Sequence, residues 1–158
     1  IDIKPMPLCS LGADAVEFLF SANRGEPPRP LSRTASGGEL SRIMLALKGI
    51  LAEVDHIPVL IFDEVDAGIG GRTAETIGMR LRTLAKRHQV LCITHLPQIA
   101  AMADYHIMIE KTQKKDSVYV TLKELSRKER EEEIARMLSG KITEISLRHA
   151  RELLGSVA

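Results

Sequence analysis

The 158-residue sequence predicts an α/β fold whose mostly parallel core sheet is flanked by helices, followed by a β-hairpin and two more helices. Three observations carry that prediction. The run Val59-Leu60-Ile61-Phe62 passes straight into Asp63, Glu64 and Asp66, and an apolar run this short fits a strand covered on both faces. Val90-Leu91-Cys92-Ile93 repeats the design and ends in Thr94-His95. The stretches before and between these runs carry apolar residues at helical spacing, so helices should pack against the sheet.

Taken in order, residues 3–8 and 16–22 read as two extended segments with Gly12-Ala13-Asp14 as the turn between them. Asn23-Arg24-Gly25 and Pro27-Pro28-Arg29-Pro30 break regular structure and lead outward as a loop. Ser36 followed by Glu39 is a capping box that starts a helix at Gly37. Leu40, Ile43, Met44, Leu47, Ile50, Leu51 and Val54 then form one apolar stripe, the expected buried face. Ala67-Gly68-Ile69-Gly70-Gly71 reads as a flexible loop and residues 73–87 as a helix with a basic outer face at Arg80, Arg82, Lys86 and Arg87, a solvated surface. Pro97 suits the first turn of a helix running to about Ala103. Residues 105–111 and 117–125 read as a hairpin joined by the polar turn 112–116. Ser126 caps a charged helix with Ile134, Met137 and Leu138 on its apolar face, Gly140 ends it, and Thr143 starts a last helix.

Composition excludes several classes. Lys plus Arg is 22 against 21 Asp plus Glu, so net charge gives no support for a general nucleic-acid-binding face. No apolar stretch has the length of a membrane span, and two cysteines are too few for a disulfide framework, which suits a reducing cytoplasm. The five histidines and two cysteines show no paired zinc-ligand spacing. The chain begins at Ile1 without an initiator Met, so a fragment of something longer is expected.

The chemistry should gather at the strand ends, where loops leave a parallel sheet and form a crevice. Two adjacent carboxylates there point different ways. One can hold a hard cation such as Mg²⁺, which prefers oxygen ligands, while the other orients and deprotonates water. The plainer alternative is an acidic loop capping the next helix. Gly37 and Gly38 cost stability in a helix, each roughly 1 kcal/mol relative to Ala, but they bare backbone N–H groups at the positive end of the helix dipole. Such an end suits a phosphate, although a well-capped helix start explains the same residues. His95 can reach the same crevice as Asp63 and Glu64, or serve as a hydrogen-bonded structural residue.

In this order the pieces resemble the second half of an ABC-type ATPase head. Ala35-Ser36-Gly37-Gly38-Glu39 resembles the signature motif, Val59–Asp63 with Glu64 resembles Walker B and its glutamate, Val65-Asp66-Ala67-Gly68 the D-loop, and Thr94-His95 the switch histidine. Gly-Gly-Glu-Leu-Ser-Arg-Ile-Met-Leu-Ala-Leu in the signature helix is similar to the SMC-like branch. Within it, residues 62–69 and 94–100 resemble the bacterial ATPases that repair DNA double-strand breaks. The resemblance covers essentially the whole chain, 1–158, as the carboxyl-terminal lobe of a head. No Gly-x-x-x-x-Gly-Lys-Ser/Thr phosphate loop is present, so the amino-terminal lobe and the coiled coil would lie elsewhere.

The resemblance implies an ATPase using ATP and Mg²⁺, inactive as this fragment alone. Asp63 would hold Mg²⁺ through its water shell, Glu64 would activate the attacking water, and His95 would contact the γ-phosphate. Ser36, Gly37, Gly38, Glu39 and Asp66 would serve the nucleotide of a second head in an ATP-dependent homodimer. Arg33 and Arg42 flank the signature, where an arginine touches nucleotide or partner, or makes a surface salt bridge. Implied partners are the amino-terminal lobe, the second head and DNA; a cytoplasmic, nucleoid-associated setting and no membrane contact follow. The competing expectations are a non-catalytic dimerisation or DNA-docking lobe, and a transporter nucleotide-binding subunit.

Overall fold

The computed structural model describes residues 1–21, 25–34, 36–114 and 117–155. Ala22, Asn23, Arg24, Ala35, Lys115 and Asp116, which enter the expected strand, loop, signature and turn above, lie outside the described residues. Strand β1 (Asp2–Cys9) pairs antiparallel with β2 (Gly12–Glu17), and β3 (Leu19–Phe20) pairs with β4 (Arg29–Pro30). The turn falls at residues 10–11, earlier than the sequence suggests, because Gly12 at φ 119° opens β2 in a conformation that a side chain disfavours. The expected 16–22 strand is interrupted at Phe18, whose carbonyl accepts from Leu31 N at 2.8 Å. A short helix, α1 (Leu31–Thr34), replaces part of the expected loop.

Helix α2 (Gly37–Leu51) starts where the capping box places it. Ser36 N donates to Glu39 Oε2 at 2.8 Å and Glu39 N donates to Ser36 Oγ at 3.3 Å. Strands β5 (Val59–Phe62) and β6 (Gln89–Cys92) form the parallel core pair, in register from Val59 opposite Gln89 to Phe62 opposite Cys92. Helix α3 (Gly71–Leu84) makes the crossover between them, turning Ala74, Ile77, Gly78, Leu81 and Leu84 inward. The other three sheets are antiparallel pairs.

Two expectations about burial are corrected. The α2 stripe is not the buried face. Leu40, Met44, Leu47, Ile50, Leu51 and Val54 are all exposed, Ile50 by 77%. The inward face instead carries Gly38, Ser41, Arg42, Leu45 and Lys48. Nor is β5 covered on both sides. Leu60 and Phe62 are buried, but Ile61 is 68% exposed, and with Val59, Leu91 and Ile93 it forms an open apolar surface. Neither the stripe nor the open side of β5–β6 is covered by another element among the described residues.

The second half joins the first through helix α4 (Pro97–Ala100), which packs on α3. Helix α4 leads to the hairpin β7 (Ile107–Lys114) and β8 (Ser117–Glu124), then to α5 (Arg127–Ser139) and α6 (Glu144–Gly155). Helix α5 repeats the capping box with Ser126 and Glu129 and ends at Gly140, whose φ of 72° is the left-handed cap that glycine permits. Two cores result. One joins Leu45, Leu60, Phe62, Val65, Ile77, Leu81, Leu84 and Ile99; the other joins Ala100, Ala101, Ile134, Ala135 and Ala150. Helix α4 belongs to both.

Candidate functional site

The parallel pairing of β5 and β6 puts their carboxyl ends side by side, and Ile93 N extends the ladder by donating to Phe62 O at 2.9 Å. Asp63, Glu64, Asp66, Ile93, Thr94 and His95 therefore line one open pocket of about 230 Å³. A larger cleft of about 310 Å³ on the β1–β2 hairpin collects only Asp2, Lys4, Ala15, Val16 and Glu17, two of them already paired as Lys4–Asp2. The pocket at the strand ends is the candidate site.

Asp66 organises the pocket from below. It is 3% exposed and accepts from Thr94 Oγ1 at 2.6 Å and from His95 N at 2.9 Å, while His95 Nδ1 stands 3.0 Å from the same oxygen. Burial pushes its carboxyl up, but the Thr94 hydroxyl, the His95 amide and the His95 charge together outweigh burial and hold it below the ordinary 3.8. The His95 side chain itself is 73% exposed, so a buried carboxylate fixes a ring that faces solvent. Cys92 beneath them is no nucleophile: burial, then the charges of Asp66 and Asp63, push its thiol up to about 12.

The start of α2 closes the opposite side. Ser41 Oγ donates to Asp63 O at 2.6 Å, and Arg42 Nη1 donates to Ala67 O at 2.9 Å and to Val65 O at 3.3 Å. A Cβ on Gly38 would stand 2.8 Å from both Ala67 Cβ and Glu64 O, and one on Gly37 would stand 2.5 Å from Glu64 Oε2. Gly38 is thus needed for close approach within the chain, whereas at Gly37 the clash is only with the movable end of the Glu64 side chain. Glu64 sits at φ 57°, left-handed for a residue with a side chain, and that turn carries its carboxylate to Gly37 at the helix N-terminus.

The structure therefore brings Gly37, Gly38, Asp63, Glu64, Asp66 and His95 into one neighbourhood, with Ser36 exposed at the cap. Glu39 and Asp66 both have partners within the chain. Glu39 uses Oε2 to hold the Ser36 amide, and Asp66 points inward to Thr94 and His95 rather than outward. Arg42 donates to carbonyls of the turn around Asp66 and forms no salt bridge among the described residues. Ser41, absent from the expected site residues, also contributes through its bond to Asp63 O. Its signal was available: Ser41 and Arg42 follow Gly37 and Gly38 by four residues, so all four share one helix face.

The donor set fits Mg²⁺ in one manner. Among the described residues no three His, Cys, Asp or Glu side chains gather as a metal cage. One exposed carboxylate, Asp63, at a strand end matches an ion that keeps most of its water and relies on phosphate oxygens.

No protein-family model matches the chain. The DNA repair protein RecN of Bacillus subtilis is 48% identical to it over 152 residues, that of Treponema pallidum 51% over 144, and that of Rickettsia conorii 51% over 155. These alignments take in 96%, 90% and 98% of this chain. The chain belongs to the RecN family. It spans 26%, 25% and 28% of the length of those RecN proteins, about a quarter of each. A solved SMC ATPase structure, described with ATP-driven dimerisation and DNA-stimulated activation, aligns at 22% identity and TM-score 0.47, over 75% of this chain and 70% of its own. Among the described residues of this RecN-family chain, no helix is long and apolar enough to cross a membrane.

Proposed function

We propose that the chain is the carboxyl-terminal lobe of an SMC-like ATPase head in a RecN-type DNA repair protein. The observation that carries this reading is the meeting of Asp63–Glu64 with Thr94–His95 at adjacent parallel strand ends, beside the glycine-rich start of α2. Near 50% identity to RecN proteins across that segment supports it. Bound Mg²⁺ would supply charge neutralisation at the phosphates.

The chain's own residues have separable tasks. Asp63 holds the ion through water. Glu64 orients the attacking water and takes its proton, a role worth on the order of 10²–10⁴ in rate. To do so its carboxylate must leave Gly37 and reach further into the pocket that Glu64 already lines. His95, fixed by Asp66, donates to the terminal phosphate. Ser36 and the Gly37 and Gly38 amides offer donors to a phosphate presented by a second head, where fixed dipoles stabilise the charge that develops in transfer. The exposed α2 stripe and the open face of β5–β6 are where an amino-terminal lobe with a phosphate loop would pack; an uncovered patch of this kind marks an interaction surface.

ATP turnover by this chain alone, then mixed with a separately made amino-terminal lobe carrying a phosphate loop, tests the reading. Silence alone and turnover on mixing are expected. Turnover by the 158 residues alone would overturn the split site.

A further inference from the structure

Charge in this chain is balanced in total but not in place. Residues 72–87 hold Arg72, Arg80, Arg82, Lys86 and Arg87 against one acid, Glu75, which leaves 17 bases against 20 acids in the remainder. Helix α3 turns its apolar residues into the core, and all of these cations are exposed, Arg72, Arg80 and Arg82 on the helix and Lys86 and Arg87 in the turn just past its end. Arg87 pairs with Glu53. Arg72, Arg80 and Lys86 have no ion-pair partner among the described residues. Helix α5 differs: it carries four bases and four acids, and Arg136 is bound to Glu133.

From this segregation we infer that the exposed side of α3 and the turn that follows it is a docking surface for the phosphate backbone of duplex DNA. The inference rests on the repair reading above and adds the surface. Three features favour phosphate over a protein partner. The surface carries five cations against the single acid Glu75, and arginine dominates it. Its remaining outward residues are small or polar, Thr76 and Thr83 among them, with Met79 the one large apolar side chain; a protein-docking face would need an apolar centre. Phosphate contacts come from cations and small polar groups and carry no sequence preference. Fourteen residues of helix run about 21 Å, enough to lie along roughly a dozen phosphate charges of a duplex. The face also begins one residue beyond the loop that carries Asp63 to Gly70, close to the candidate site but not within it.

The test is duplex binding by the full-length protein against salt, comparing the unsubstituted protein with the triple variant Arg72→Ala, Arg80→Ala, Lys86→Ala. Removing three phosphate contacts should reduce the slope of log K against log salt by about two to three, and should do so alike for unrelated duplex sequences. A control variant, Arg127→Ala with Lys128→Ala on α5, should leave the slope unchanged. ATP turnover without DNA should be the same in all three proteins, because none of the five residues touches the site. An unchanged slope in the triple variant overturns the inference and leaves the face to water or an acidic protein. An equal loss in the control also overturns it, since total charge would then be the cause. Absence of duplex binding by the unsubstituted protein overturns both this inference and the DNA part of the proposed function, while turnover on mixing lobes judges the ATPase part separately.

Discussion

Helices α2 and α5 begin with the same device and end in opposite situations. Each opens with a serine cap whose third following residue is a glutamate, and both capping boxes are fully made. Helix α5 then buries its apolar residues, with Ile134 and Ala135 at 0% exposure. Helix α2 does the reverse, burying only Gly38 and Leu45 while most of its aliphatic stripe lies open. Local sequence starts both helices equally well, but what each packs against differs. A hydrophobic stripe marks the face that needs a cover, and the cover need not lie within the same 158 residues.

The comparison breaks most visibly on chemistry. Glu64→Gln, beside α2, should lower ATP turnover of the full-length protein by on the order of 10²–10⁴-fold while leaving the fold intact by circular dichroism. Turnover within a factor of a few would remove Glu64 from the reaction. On stability the ranking reverses. Ile134→Ala on α5 should cost about 2–5 kcal/mol in urea unfolding of this chain, whereas Ile50→Ala on α2 should cost nearly nothing. Equal losses would mean that the α2 stripe is already covered.

Glycines sharpen the contrast within α2 itself. Gly38→Ala drives a methyl into Ala67 Cβ and the Glu64 backbone and should destabilise by about 1–3 kcal/mol. Gly49→Ala meets nothing within 4 Å and should stabilise by about 0.5–1 kcal/mol, the ordinary gain for a helix interior. Opposite signs in the same denaturation assay are the expected result.

The smallest effect separates the caps by pH. The Lys123 ammonium, then the Ser126 hydroxyl and amide, lower the Glu129 carboxyl from 4.5 to about 2. Because the folded value lies below the unfolded one, the stabilisation is complete above about pH 4.5 and is lost as pH falls through 2. An NMR titration of Glu129 should give a midpoint near 2, and Lys123→Met should raise it toward 4.5.

Much of this was legible in the sequence because it is local. The capping boxes at Ser36 and Ser126, the strand ends at Asp63 and Thr94, and the left-handed stop at Gly140 each depend on residues within a few positions. The orientation of α2 was not legible, since Leu40 and Ile50 show only that some apolar cover is wanted. The same limit hid the inward turn of Asp66: three acids in four positions do not reveal which one a strand nearly thirty residues later will claim. The task of Arg42, reaching the carbonyls of Val65 and Ala67, likewise exists only once α2 lies across the loop.

Helix α4 gives the fold a stiff lever with a very short arm. His95 and Leu96 are both pinned, the first through Asp66 and the second through Thr94 Oγ1 at 3.1 Å, and Pro97 follows at once with its fixed backbone angle. Ile99 then sits in one core and Ala100 and Ala101 in the other, while the Arg130 guanidinium clasps the carbonyls of Ala100, Ala101 and Ala103. There is no slack in those few residues. A displacement of the imidazole would therefore be felt as a tilt of α5 and α6, far from the pocket where it began.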